Sequence, residues 1–246
     1  MKISVVPTAQ QARDVDFSGK TAIVIDVLRA TSVITTALHN GALDVFAVKT
    51  VDEADRLASD GTGGQILRGG ERHAVKIAGF DFGNSPLEYT SDAVKGKHLV
   101  VTTTNGTQAI QNVESASEIV LACFRNAAAV ADAIVSPRLA HNDVAIVCAG
   151  TEGKFSLDDG LCAGMIIELL KQRTEVLTDD LGLLLSRDYR EHRHDLLAAL
   201  ADCFHLKRLS ALGFASDVHY CLETNCVATV PVWRNNRIVS MSYGEK

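Results

Sequence analysis

Positive charge is in short supply in this sequence. Against 30 Asp and Glu stand 24 Lys and Arg, a net charge of −6, which excludes a protein that grips nucleic acid through a basic face. An acidic chain that binds an anion does so with local donors and not with a global positive field. No apolar run approaches the length needed to cross a membrane, and the apolar run in the opening MKISVVPTAQ is too short for a secretory leader. The six cysteines form no C-x-x-C pair and no zinc-ribbon spacing. Several sit in apolar runs, where a thiol acts as a small hydrophobe, and the expectation is a cytoplasmic protein with reduced thiols. Both nucleotide fingerprints, G-x-x-x-x-G-K-[ST] and G-x-G-x-x-G, are missing. So is G-x-S-x-G, and with it the nucleophile elbow of the α/β-hydrolases. There is no H-E-x-x-H, and most of the eight histidines are expected to be solvated or satisfied structurally.

What is present suffices for a large core: 47% hydrophobic and 22% charged residues, with no composition that signals disorder. The first strand is expected at 3–6, ended by Pro7, and the next at 21–27. A helix follows from 32 to 39, then a strand at 43–48 and a helix at 51–59, with Thr50 and Glu53 spaced as a capping box. Residues 61–70 are glycine-rich with a brief apolar stretch inside, and 69–89 read as a long polar loop broken by glycine, of the kind that carries function. Near its end, Ser85-Pro86-Leu87-Glu88 has the form of a second capping box with proline at the first helical position. Strands at 98–102, 119–123 and 144–148 are each followed by a polar turn and a helix. Four such strand–turn–helix units argue for an α/β fold with a mostly parallel sheet and helices on both faces. Beyond residue 173 the pattern becomes helical (178–189, 191–202 and 204–212), finished by a hairpin around Asn235-Asn236. That hairpin is expected at a sheet edge or as a cap, where it and the helices offer a homodimer contact. No linker is visible, so the chain is taken as one domain over 1–246, with a helical subdomain at about 174–222.

The stretch 21–41 places Asp26, Arg29, Thr31 and Ser32 where a buried strand feeds a helix. The carboxyl ends of strands are where open α/β sheets bind ligands, and helix N-termini offer free N–H groups to anions. Thr31 or Ser32 capping the helix beside a local Asp26–Arg29 ion pair is the plainer alternative. A carboxylate at the end of a buried strand is nonetheless expensive without a task. The turn Thr103-Thr104-Asn105-Gly106-Thr107 offers hydroxyls and approachable N–H groups at a second such junction. Ser156 and Asp159 have the spacing of a capping box, which accounts for one of the paired acids Asp158 and Asp159. Together with Asp26 these acids supply oxygen ligands suited to Mg²⁺, which keeps several waters and needs few carboxylates.

Four blocks in series, VIDVLRATSVI, GGER…GFDFGNSP, TTTNGT and CAGTEGKFSLDD, resemble the 2-phosphosulfolactate phosphatases, the ComB family. The resemblance covers about residues 3–170. It implies a three-layer α/β/α fold and a Mg²⁺-dependent phosphohydrolase that converts 2-phosphosulfolactate to sulfolactate and phosphate, in coenzyme M biosynthesis. A substrate with phosphate, sulfonate and carboxylate needs several donors and a cation, and phosphoryl transfer asks chiefly for positioning and charge neutralisation. Mg²⁺ is assigned to Asp26 with Asp158 or Asp159, and Glu71 and Asp81 are held in reserve. Phosphate is assigned to residues 103–107 with Arg29, and the sulfonate or carboxylate to Arg72 or Lys154, with Arg125 a further nearby cation. Two other functions stay open: a phosphatase for another small phosphorylated acid, and an anion-binding protein without turnover.

Overall fold

A computed structural model describes residues 1–59 and 65–241. The strands are β1 (Lys2–Val6), β2 (Lys20–Ile25), β3 (Asp44–Ala47), β4 (Ile66–Arg72), β5 (Val75–Lys76), β6 (His98–Thr102), β7 (Glu118–Ala122), β8 (Asp143–Cys148), β9 (Leu177–Thr178), β10 (Pro231–Arg234) and β11 (Arg237–Ser240). The helices are α1 (Ala9–Ala12), α2 (Ala30–His39), α3 (Val51–Ser59), α4 (Ser91–Val94), α5 (Gly106–Gln111), α6 (Ala127–Ile134), α7 (Leu157–Lys171), α8 (Asp180–His192), α9 (Leu196–Ala199), α10 (Phe204–Ala211) and α11 (Ala215–Cys221).

All eleven strands join one sheet in the order β5-β4-β6-β3-β11-β10-β7-β2-β8-β1-β9. Pairing is parallel within β4-β6-β3 and within β7-β2-β8-β1-β9, and antiparallel around the β10–β11 hairpin and between β4 and β5. Side chains alternate between faces along a strand, and each face has its own core. Ile23, Ile25, Val120, Ala122 and Ile146 pack with α6, α7 and the C-terminal helices. Ala22, Val24, Leu121 and Val147 pack with Val33, Ile34 and Ala37 of α2 and with Ile110 of α5. This is the expected three-layer α/β/α architecture.

Two expectations are corrected. The terminal hairpin is not at an edge: β11 pairs with β3 and β10 with β7, so it joins the two parallel halves at the centre of the sheet. The polar stretch after residue 61 holds a strand, β4, paired in parallel with β6 along Ile66–Gly70; the part of the glycine-rich run at 61–64 lies outside the described residues. Finally, a further helix, α11 at 215–221, follows the three expected up to 212 and completes the helical subdomain expected to about 222. The Thr50/Glu53 capping box is present, with the Glu53 N–H donating to Thr50 Oγ1 (3.1 Å) and the Thr50 N–H to Glu53 Oε2 (3.2 Å). The other two boxes are absent. Ser85 and Ser156 turn their hydroxyls to Asp217 and Asp158, and neither caps the turn that follows it.

Candidate active site

Register brings the ends of β2, β7 and β8 level, with Ile25 opposite both Ala122 and Cys148. Beyond those ends lies a cavity lined by Asp26 and Arg29 after β2, Glu71 near the end of β4, and Thr103, Thr104 and Asn105 after β6. Thr151 and Glu152 after β8 complete its rim, and His205 and Arg208 enter from α10. Asp26, Arg29, Glu71, Thr103, Thr104 and Asn105 therefore come together from three distant stretches of chain, as the sequence led us to expect.

Asp26 is 7% exposed. Its Oδ1 accepts the Ala30 N–H at 3.1 Å, and no described hydrogen bond reaches Oδ2. Thr31 Oγ1 accepts the Asp26 N–H and donates to the Asp26 carbonyl (3.1 and 2.8 Å), while Ser32 Oγ donates to the Val27 carbonyl (2.7 Å). These hydroxyls thus pin the turn rather than cap α2 at its orphan donors. Burial pushes the Asp26 carboxyl up to about 6, and the neighbouring carboxylates of Asp158 and Glu71 push the same way. His205 and the Ala30 N–H oppose them.

The paired acids at the start of α7 divide their work. Asp159 accepts the Val27 N–H on Oδ1 and the Gly150 N–H on Oδ2, both at 2.9 Å, tying the turn after β2 to the loop after β8. Asp158 receives the Ser156 hydroxyl on Oδ1. Its Oδ2 is buried without a hydrogen-bond partner and lies 3.7 Å from His205 Nδ1, an ion-pair distance. His205 Nδ1 also meets Thr151 Oγ1 at 3.0 Å. Desolvation works against a charged imidazole, but Asp158 outweighs it and raises the His205 pKa above its ordinary value. The same partner, with Ser156, keeps the Asp158 carboxyl low despite its burial.

Arg29 does not pair with Asp26. Its Nη1 donates to Asp217 Oδ2 at 2.5 Å and its Nη2 to the Ala74 carbonyl at 3.3 Å, and the guanidinium lies 4.2 Å from the centre of the Phe214 ring. Asp217 accepts the Ser85 hydroxyl on its other oxygen, at 2.7 Å. Across the cavity, Glu71 Oε1 accepts from the Thr104 N–H and hydroxyl (2.8 and 2.9 Å), and Oε2 from the Ala74 N–H (2.7 Å). Thr107 bonds back to Thr103 through its N–H and hydroxyl, and Gly106 packs against Asp26 and Ala30 behind the cavity wall.

Other residues singled out in the sequence stand outside the cavity lining. The Arg72 guanidinium donates to the carbonyls of Lys49, Glu71 and Thr102 and to Thr102 Oγ1, which fastens β4 to β6. Arg125 stacks on the Tyr220 ring, 3.6 Å from its centre, and binds Glu223 and the Tyr220 carbonyl. Lys154 is exposed, and its backbone closes a turn with Thr151. Asp81 accepts the Arg68 N–H at 2.7 Å. Conversely, His205, Arg208 and Asp217 come from the C-terminal helices, where no sequence motif marks them. Within 205–217 these three residue types are no denser than in the neighbouring 187–195, so composition gives no signal for them either.

Among the described residues, no group of three or more His, Cys, Asp or Glu side chains forms a metal cage. The donor set nevertheless fits hydrated Mg²⁺, which is held through one or two carboxylates with the remainder supplied by water and substrate phosphate. Asp26 provides such a carboxylate, with an open oxygen on the cavity and a desolvation penalty that a cation would relieve.

A profile of the family described as 2-phosphosulpholactate phosphatase matches residues 6–236. A protein of Caldanaerobacter subterraneus subsp. tengcongensis named "Probable 2-phosphosulfolactate phosphatase" is 44% identical over 235 residues, covering 96% of each chain. A Clostridium acetobutylicum protein of the same name is 43% identical, over 97% of this chain and 100% of its own length. The four ordered motifs, the sheet that gathers them and this match over nearly the whole length agree: the chain belongs to the 2-phosphosulfolactate phosphatase family and is a phosphatase, a hydrolase of phosphoric monoesters.

Proposed function

We propose that this enzyme hydrolyses 2-phosphosulfolactate to sulfolactate and phosphate with Mg²⁺ as cofactor, in the cytoplasm and as a step of coenzyme M biosynthesis. The observation that carries this reading is Asp26, a buried carboxylate with one oxygen open to a cavity that Arg29 and His205 also line. Asp26 would hold the Mg²⁺. When bound, the ion would offset the charge of the phosphate and the charge developing on it during transfer.

The remaining work falls to the protein's own groups. Arg29, fixed by Asp217 and the Ala74 carbonyl, sets a permanent positive charge beside the phosphate. Thr103, Thr104 and Asn105 supply the wall against which the phosphate is oriented. Net hydrolysis adds water to phosphorus and breaks the bond to the ester oxygen, which leaves needing a proton. His205 is placed to give it: Asp158 and Thr151 hold Nδ1, and no described hydrogen bond occupies Nε2. Asp159 keeps the two loops in register by holding one N–H from each.

Six unpaired cysteines, five of them buried, support the assignment to a reducing compartment. No helix of the described residues is long and apolar enough to cross a membrane. A homodimer through the C-terminal helices belongs to the same reading, supported by the exposed side chains of Leu184, Leu197 and Phe204. Sedimentation tests that point. The reaction itself is tested by phosphate release from 2-phosphosulfolactate beside 2-phospholactate and 3-phosphoglycerate. Preference for the sulfonated ester supports the proposal, and equal rates on all three contradict its substrate.

A further inference from the structure

The cavity holds two arginines in very different states. Arg29 is 2% exposed, with its guanidinium committed to Asp217, the Ala74 carbonyl and the Phe214 ring. Arg208 stands at the rim with its side chain 28% exposed, and among the described residues its guanidinium has one partner, Glu152 Oε1 at 2.5 Å. The Glu152 side chain is itself 58% exposed. An ion pair that open to water contributes little, so exchanging Glu152 for another anion is nearly free.

Position and substrate chemistry agree with such an exchange. Arg208 follows His205 by three residues on α10, which puts both on one helix face, and both line the cavity. With the phosphate of 2-phosphosulfolactate beside Asp26 and Arg29, the carboxylate is bonded directly to the ester carbon. The sulfonate sits one carbon further out and is the group that extends toward the rim. A guanidinium fork can donate to two of the three oxygens of a tetrahedral sulfonate, as it does to those of a phosphate. The other cations considered for this task are placed elsewhere: Arg72 is bound to backbone carbonyls, and Lys154 lies outside the cavity lining.

We propose that Arg208 is the specificity residue of this site, releasing Glu152 to bind the sulfonate of the ligand. The inference rests on the phosphate position proposed above, and it concerns selection between ligands rather than the chemical step. Glu152 acts as the placeholder. It occupies Arg208 when no sulfonate is present and keeps the rim from collecting other anions.

The test is calorimetric binding of sulfolactate and lactate, in Mg²⁺ buffer, to the wild type, Arg208→Ala, Arg208→Lys and Glu152→Gln. The wild type should prefer sulfolactate by about tenfold or more, as a charge-assisted bidentate contact would give. In Arg208→Ala that preference falls to within about twofold, and Arg208→Lys lies between, since an ammonium keeps the charge but loses the fork. Glu152→Gln, a change at an exposed side chain, should tighten sulfolactate by about two- to fivefold by removing the competitor. A wild type without preference, an Arg208→Ala protein that keeps it, or a Glu152→Gln protein that binds sulfolactate more weakly would each overturn the inference. Neither ligand carries phosphate, so a failure to hydrolyse 2-phosphosulfolactate counts against the proposed reaction and not against Arg208.

Discussion

Oδ2 of Asp26 lies 2.6 Å from the point that a Cβ on Gly106 would occupy, and the same Cβ would run into Ala30. The first residue of α5 is therefore a glycine because the carboxylate at the end of β2 already fills the space above it. The open oxygen of Asp26 and the bare backbone of Gly106 are one feature seen from two loops.

Replacing Gly106 by Ala should displace that carboxylate and also push the start of α5 off Ala30 of α2, so some stability is lost with the activity. Phosphate release should fall by about 10²-fold, the scale of a displacement near 1 Å at a reacting centre. Steady-state kinetics with circular dichroism checks it, and an active Gly106→Ala enzyme would show that Asp26 need not sit where it does.

Asp26→Asn separates activity from stability. Desolvation of Asp26 is an unfavourable contribution to the folded protein without a cation. The amide keeps the shape and removes the charge. The melting temperature of the metal-free variant should equal or exceed that of the wild type, while turnover drops by about 10³-fold or more. Thermal melts beside phosphate assays read both quantities.

Asp159 predicts the opposite balance. Both of its oxygens satisfy buried N–H groups, those of Val27 and Gly150. Asp159→Ala leaves both donors unpaired and should lower stability by about 3 kcal/mol. Urea denaturation measures this, and an unchanged midpoint would contradict the bracing role.

Asp217 is predicted to act through Arg29. Truncation to Ala leaves a buried guanidinium without its partner and should cost about 3–5 kcal/mol in stability. Asp217→Asn retains an acceptor for Ser85 and should fold, with KM for the phosphorylated substrate raised by about tenfold as Arg29 loosens. A change confined to stability, with KM unmoved, would reduce Asp217 to a structural residue.

The sequence made the parallel strands legible because β2, β6, β7 and β8 are short apolar runs each followed by a polar turn and a helix. It hid β4, whose glycines at 69 and 70 read as a break. Gly69 in fact leaves room for the Tyr89 hydroxyl, a packing requirement that local pattern does not reveal. The hairpin looked like an edge element because nothing in residues 231–240 says which strands will flank it. Asp26, Arg29 and Thr103 were legible as chemistry placed at strand ends, and Glu71 only as an acid in a long polar loop, because the strand that carries it was not. His205, Arg208 and Asp217 were not, since short surface-like helices acquire meaning only when packed over the sheet. Serines 85 and 156 misled for a related reason: capping spacing is local, but their hydroxyls found buried carboxylates instead.

The role proposed for the open oxygen of Asp26, in a Mg²⁺-dependent phosphate transfer, is open to direct test. The direct measurement is the initial rate of phosphate release from 2-phosphosulfolactate by the wild type and Asp26→Asn, each with Mg²⁺ and again with EDTA. The wild type should release phosphate rapidly with Mg²⁺, lose that activity in EDTA and recover it on adding Mg²⁺ back, and the variant should release little under any condition. Undiminished release in EDTA, or an Asp26→Asn enzyme as fast as the wild type, would contradict that role.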